Sequence, residues 1–260
     1  MGTNPNQAKN PVQTTLTTLD VLERLKELDG GRVTDLADDL DLPKSSVHNY
    51  LSTLNQRGYV VKDGTEYHVS LRFLDFGATA RDNRKIYDIA QPNIRELADE
   101  TGELANLMVE EHGEGVYIDR EIGDDAVMVD KNVGHRVHLH NTALGKAILA
   151  HLPRDHVSQI LDTHGMPALT EKTITDEATL FDELENVREE GSLSSTSPLG
   201  RSAVSSPRRL PHPAAGMTVS IRGPAPTSHL KSSVSQIDGG RQLAQLGIGV
   251  TKHAHEGRPG

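Results

Sequence analysis

The chain has 260 residues and no cysteine, which leaves room for two small domains and excludes disulfides, thiolate nucleophiles and zinc-thiolate sites. Its net charge of -10 is unevenly spread: residues 1–191 carry 35 acidic and 19 basic side chains, whereas residues 192–260 carry 2 and 8. That second stretch holds 7 of the 13 prolines and 9 of the 23 glycines, with no aromatic residue, a composition that buries little apolar area.

Residues 1–11 are polar and expected to be disordered. No apolar run is long enough to span a membrane and no basic-then-apolar leader opens the chain, so a cytoplasmic location is expected. Leu16, Leu19, Val21, Leu22, Leu25 and Leu28 recur at helical spacing up to Gly30-Gly31, predicting one amphipathic helix. Thr34 ahead of Leu36, Ala37 and Leu40 predicts a short second helix, ended by the turn Asp41-Leu42-Pro43. A third helix follows from Lys44, with Val47, Tyr50, Leu51 and Leu54 inward and Gly58 placed as a left-handed cap. Residues 59–62 and 67–69 flank Asp63-Gly64-Thr65-Glu66, a strand-turn-strand signal.

Three helices and a hairpin in residues 12–75 predict a winged helix-turn-helix. The third helix turns a polar, lightly basic face outward, as reading a major groove requires. Lys44, Ser45, Ser46, His48 and Asn49 crowd its first turns, and Thr53 lies farther along. Ser46 and Asn49 suit base edges, while Lys44 suits phosphate. Lys62, Thr65 and His68 of the hairpin, with Arg72 behind it, are candidates for backbone contact. From Lys44 to Lys62 there are three basic residues and no acid, although residues 12–80 as a whole carry 7 basic and 11 acidic side chains. An acidic balance is unusual for a nucleic-acid domain, and the other reading of this unit is a contact surface for protein or dimer.

Ile86, Ile89, Ala90, Ile94, Leu97 and Ala98 predict a connector and dimerisation helix over residues 76–101, broken or kinked at Pro92. Strands are predicted over residues 105–111, 116–122, 126–132 and 137–140, then helices over 142–152, 154–164 and 176–190. A sheet followed by helices indicates an α+β sensor domain.

The stretch Leu42-Pro43-Lys44-Ser45-Ser46-Val47-His48 with Leu51 and Leu54, then Arg57-Gly58-Tyr59-Val60 and residues 71–77, resembles the IclR-type transcriptional regulators. His140-Asn141-Thr142-Ala143-Leu144-Gly145-Lys146-Ala147 and Lys172-Thr173-Ile174-Thr175-Asp176 extend the resemblance in order, over residues 12–191. It implies an N-terminal winged helix that binds a palindromic operator on double-stranded DNA as a homodimer or a dimer of dimers. It also implies a C-terminal α/β, GAF-like domain over residues 102–191 that binds a small metabolite, an organic acid or sugar derivative. Two pieces of the pocket that the resemblance implies can be placed: Thr142, Ala143, Leu144 and Gly145 open a helix whose free amides suit a carboxylate effector, and Met108 and Met128, on predicted strands, suit its apolar side, with ordinary core as an equal reading. The acidic bias suggests a haloarchaeal member.

After Gly191 the text departs from that family: Ser192 to Arg201 replaces an expected aromatic, acidic and cysteine-bearing segment. Residues 192–260 therefore read as an aberrant low-complexity tail, expected to arise from a frame slip in a GC-rich gene. A genuine basic tail is the other reading. Without the replaced strands the effector domain is incomplete, its sheet edge unpaired, and a regulator that binds DNA without sensing effector becomes the alternative function. His135, His138 and His140 invite a metal, but the helix-entry turn accounts for His140. Asp119, Arg120 and Glu121 read as a solvated strand face, and no phosphate loop, nucleophile elbow or HExxH motif is present. No catalytic residue, metal or cofactor is assigned, and the chain is expected not to be an enzyme.

Overall fold

The computed structural model describes residues 8–126 and 132–190, together with the backbone of residues 192–197, 200–205, 217–222 and 250–254. It divides into two compact units, residues 1–83 and 84–260.

In the first unit the helical periodicities form α1 (Gln13–Glu27), α2 (Val33–Asp39) and α3 (Lys44–Gln56), followed by β1 (Val60–Asp63) and β2 (Glu66–Val69). Val21 and Leu25 of α1, Leu36 and Ala37 of α2, Val47, Leu51 and Leu54 of α3, and Val60 and Tyr67 of the hairpin make one core. Leu51 is fully buried there, so truncating it to alanine costs about 2–5 kcal/mol. Gly58 has φ +76°, a left-handed cap that turns the chain from α3 into β1. Its carbonyl accepts from the Ser70 hydroxyl at 2.6 Å, which ties both ends of the hairpin together. The backbone of Tyr67 exchanges hydrogen bonds with Gly31 at 2.9 and 3.0 Å, fixing the wing to the α1–α2 turn.

The expected connector is two helices, α4 (Arg72–Asp82) and α5 (Lys85–Thr101). The break falls at Arg84, whose backbone is extended, rather than at Pro92, which lies inside α5. The Asn93 amide donates to the Ile89 carbonyl at 2.7 Å, supporting the turn that the proline disturbs.

The second unit is built on β3 (Leu104–Glu111), β4 (Glu114–Ile122) and β5 (Arg136–His138). A 3₁₀ turn (Leu139–Asn141) leads from β5 into α6 (Ala143–His151), α7 (Arg154–His164) and α8 (Glu177–Glu190). Alternate residues of β3 serve two cores. Ala105, Leu107 and Val109 pack with Ala90, Ile94, Leu97 and Ala98 of α5. Met108, with Tyr117 of β4, packs with the residues of α6, α7 and α8. Every residue of α6 from Ala143 to Ala150 is buried, which makes it the central helix of this layer. The Arg188 guanidinium of α8 donates to the carbonyls of Ala150 and Leu152, closing the C-terminal end of α6.

Backbone strands continue past Gly191 as β6 (Ser192–Ser197), β7 (Gly200–Ser205), β8 (Met217–Arg222) and β9 (Val250–Ala254), in a sheet of order β5-β4-β3-β8-β9-β7-β6. The edge of β3 expected to be unpaired is thus occupied: β8 lies antiparallel to it from Leu104–Arg222 to Val109–Met217. The register sets Met217, Val219 and Ile221 opposite Val109, Leu107 and Ala105, so an apolar alternation inside the polar tail meets the apolar alternation of β3. The strand expected at residues 126–132, including Met128, lies largely outside the described residues.

Candidate nucleic-acid interface and effector site

Burial of Val47, Leu51 and Leu54 fixes which side of α3 faces out. Lys44, Ser45, His48, Asn49 and Thr53 are exposed and Ser46 is half-buried, so the structure brings all six onto the N-terminal and outer part of one helix. No acidic residue occurs in α3 and no side chain caps its N-terminus, leaving its first amides facing outward as an anion-binding end. The Thr53 hydroxyl donates to the Asn49 carbonyl at 2.8 Å, and Ser52 Oγ lies 3.5 Å from His48 Nδ1. Ser52 and Gln56 are exposed on the same face. Sequence reading passed over them, although they continue the spacing of three and four from Ser45 and Asn49.

The hairpin candidates divide. Thr65 is exposed at the turn, and the Lys62 ammonium lies 5.3 Å from the centre of the Tyr67 ring. His68 turns toward the α1–α2 turn, where a Cβ on Gly30 would lie 2.3 Å from its ring. Arg72 is held inside its own unit: its Nη1 donates to the Arg57 carbonyl at 2.8 Å, and the guanidinium stacks 4.7 Å from the Tyr59 ring centre. Arg72 is exposed beside the residue that ends α3, and His68 is half-buried against the α1–α2 turn.

Three of the unit's carboxylates are taken up in ion pairs outside α3. Arg24 of α1 bonds Asp39 at 2.6 Å and Glu27 at 2.8 Å, and these two carboxylates, Glu27 first, raise its pKa. Arg32 pairs with Glu66 at 3.3 Å.

At the start of α6 the Thr142 hydroxyl accepts from the Gly145 amide at 2.9 Å, a standard N-cap. One of the amides expected to hold a carboxylate is therefore already engaged. A Cβ on Gly145 would lie 2.1 Å from the Leu139 carbonyl oxygen, so glycine is required by the close approach of α6 to the preceding turn. Ala143 and Leu144 are buried. The Lys146 ammonium reaches Glu183 of α8 at 2.9 Å, pinning the two helices. Met108 is fully buried in the adjoining core, and Met128 lies outside the described residues.

Sequence reading missed the polar members of this face. Asn106 sits two residues before Met108 and pairs across the ladder with Arg120, whose Nε donates to Asn106 Oδ1 at 2.9 Å. Alternation from Met108 was the signal available. Tyr117 stands opposite Met108, and burial pushes its phenol up to about 12, against the opposing charge of Arg120. The solvated face expected for residues 119–121 is corrected at Asp119, which is buried. A bulge between Leu107 and Met108 sets Asp119 opposite Leu107, on the side that α5 covers. Glu121 accepts from Gln91 and Arg95 of α5, each at 3.3 Å.

Among the described residues no group of three His, Cys, Asp or Glu side chains is arranged to hold a metal, and no helix is long and apolar enough to cross a membrane.

Residues 17–64 match the family described as IclR helix-turn-helix domain, and residues 78–232 that described as bacterial transcriptional regulator IclR C-terminal. The second match runs past Gly191 and takes in β8. The chain is 32% identical to the HTH-type transcriptional regulator KdgR of Escherichia coli over 192 residues, 72% of this chain and 73% of that protein. It is 27% identical to the probable HTH-type transcriptional regulator ArcR of Halobacterium salinarum, over 69% and 70% of the two chains. The crystal structure of Thermotoga maritima IclR superposes with a TM-score of 0.61 at 25% identity, covering 80% of this chain and 86% of that one. With both halves matched in order, the chain belongs to the IclR family of DNA-binding transcriptional regulators, whose C-terminal domain binds an effector.

Proposed function

We propose that the chain represses or activates transcription by seating α3 in the major groove of a palindromic operator. The observation that carries this reading is the outer face of α3, where hydroxyl, amide and imidazole groups with one lysine stand over a buried aliphatic stripe without any acid. Lys44 and the helix N-terminus meet phosphate; Ser45, Ser46, His48 and Asn49 meet base edges; Thr53 supports them through the Asn49 carbonyl. Lys62 and Thr65 serve the wing, and His68 and Arg72 hold the wing and the α3–α4 junction in place. The DNA-binding domain is assigned to residues 12–75. In a salt-rich cytoplasm the counterion-release contribution shrinks, so affinity rests on these direct contacts rather than on net positive charge.

The operator is bound by a homodimer or a dimer of dimers. Support comes from α4, which buries none of its residues and leaves Leu74 68% and Phe76 49% exposed, an apolar face suited to a second copy. Residues 76–101 serve as connector. The effector is a small organic acid or sugar derivative taken at the first turn of α6, around Thr142, Ala143 and Leu144, with Met108 and Met128 as apolar walls and Gly145 shaping the turn. Binding, not catalysis, is the work of this domain, and no metal or cofactor takes part in it.

We also propose that the tail records a slip of reading frame after codon 191. The alternative of a chain that has lost its sensing half is weakened by β8, which pairs with β3 along six residues inside the family match. Nuclease protection of DNA upstream of the gene tests the main reading: a protected palindrome is expected, and uniform cleavage at every protein concentration overturns it.

A further inference from the structure

Three imidazoles from three elements meet at the entrance to α6. The ring of His138, the last residue of β5, lies 5.7 Å from that of His140 in the 3₁₀ turn and 6.4 Å from that of His164 at the end of α7. His140 is 2% exposed and its Nε2 bonds the Pro167 carbonyl at 3.2 Å. His164 Nε2 bonds the His112 carbonyl at 2.7 Å, in the β3–β4 turn. Each of these bonds has the imidazole N–H donating, because a carbonyl only accepts. Nδ1 of His138 is buried without a hydrogen-bond partner.

We propose that His138, His140 and His164 form a proton-operated latch that holds β5 and the 3₁₀ turn against the end of α7 while His140 is neutral and lets go when His140 takes a proton. The charges around the trio favour that behaviour. From α6, Lys146 bears on His140 as a like charge and is itself bound to Glu183 of α8. On β4, Glu114 stands opposite His138 in register but is engaged by Arg136 at 3.1 Å. In the β3–β4 turn, Glu110 accepts from the Gly113 amide at 2.7 Å, and Glu111 is bound to Arg84 and Arg136. No carboxylate bonds any of the three rings among the described residues, so a proton added to the cluster meets no carboxylate already bonded to it, and Glu114, in register with His138, is held by Arg136.

The direction of titration agrees. Burial lowers the pKa of His140, the bond to Pro167 opposes this, and His138 and Lys146 lower it further. A histidine whose folded pKa lies below its unfolded value contributes stability that is complete above the unfolded value, about 6.5, and is lost as pH falls below it. The window lies above that in which carboxylates titrate. Opening the latch frees the segment that ends in the Thr142 cap. Its effect on effector binding rests on the effector reading given above, but the latch is tested without any effector.

The test is the thermal midpoint of the full chain between about pH 7.5 and about pH 5.5, for the parent and for the double variant His138→Gln, His164→Gln. Glutamine at 164 keeps a donor for the His112 carbonyl. The parent is expected to lose several degrees across that window and the variant less than half as much; equal losses, or no loss in the parent, overturn the latch. Should the variant not fold, the parent alone decides by NMR. His140 is expected to titrate below its ordinary value, with protection factors of the amides of residues 136–142 roughly tenfold lower at the acid end once the intrinsic slowing of exchange with falling pH is divided out. Ordinary titration with unchanged protection factors overturns the proposal.

Discussion

Lys44 opens α3 and Asn49 lies five residues farther along it, and their chemistry separates the two parts of DNA recognition. A lysine at a helix N-terminus neutralises phosphate whatever the sequence, so Lys44→Ala is expected to weaken operator and scrambled DNA alike and to flatten the salt dependence. An asparagine amide offers a donor and an acceptor to a base edge, so Asn49→Ala is expected to cost about 1–3 kcal/mol on the operator alone. Mobility-shift titrations of both variants on both DNAs check this, and an Asn49→Ala protein that loses affinity equally on each would remove the base-reading role. The α3 face was legible in the sequence because one helix carries it and helical spacing is local. Arg72 was not, because the groups that hold it, the Arg57 carbonyl and the Tyr59 ring, come from segments whose approach no local pattern reveals. Gly145 was placed correctly but for another reason: the Leu139 carbonyl against which it packs belongs to a turn read as part of a strand.

Among elements, α4 is the one whose sequence and surroundings disagree. It has the amphipathic content of a packed helix, with Phe73, Leu74 and Phe76, yet none of its residues is buried. Only its first turn is anchored, where Phe73 and Phe76 lie 5.6 and 5.8 Å from the Tyr59 ring. No separate helix over residues 72–82 was predicted from the sequence. The helix forms where the Ser70 hydroxyl accepts from the Arg72 amide at 3.2 Å, a local cap that competes with extending the ladder. If a second copy covers this face, one charge there is enough to part the pair. Leu74→Asp is expected to shift the chain from dimer to monomer in sedimentation velocity while leaving the midpoint of α1–α3 unfolding within about 0.5 kcal/mol, as an exposed position should. A variant that stays dimeric moves the interface elsewhere. Helix α6 is the opposite case: buried from Ala143 to Ala150 and pinned by Lys146 to Glu183 and by Arg188 at its end. Its boundaries were readable because Thr142 and Pro153 bracket it.

For the molecule as a whole, the question is how a chain that changes character after Gly191 still completes the sheet beside β3. Composition averaged over residues 192–260 predicts no core, and that average conceals Met217-Thr218-Val219-Ser220-Ile221, a strict alternation of apolar and polar residues. Its register against Ala105, Leu107 and Val109 is the one that keeps like faces together. A one-residue slip would reverse every pair. An unrelated reading frame has no reason to produce that match beside the strand that needs it, and the family match extends through it to residue 232. The frame slip proposed after codon 191 is therefore expected to be bounded, with a compensating slip before codon 217 that confines the foreign text to the stretch between. Sequencing the gene from codon 185 to codon 225 checks this. One alternative frame of the intervening stretch is expected to encode an acidic, cysteine-bearing segment with alternating apolar residues, continuous with the present frame on both sides. Three frames without such a segment would instead make residues 192–216 a native insertion, with the serine-rich β6 and β7 as native strands beyond β8 and β9 in the sheet.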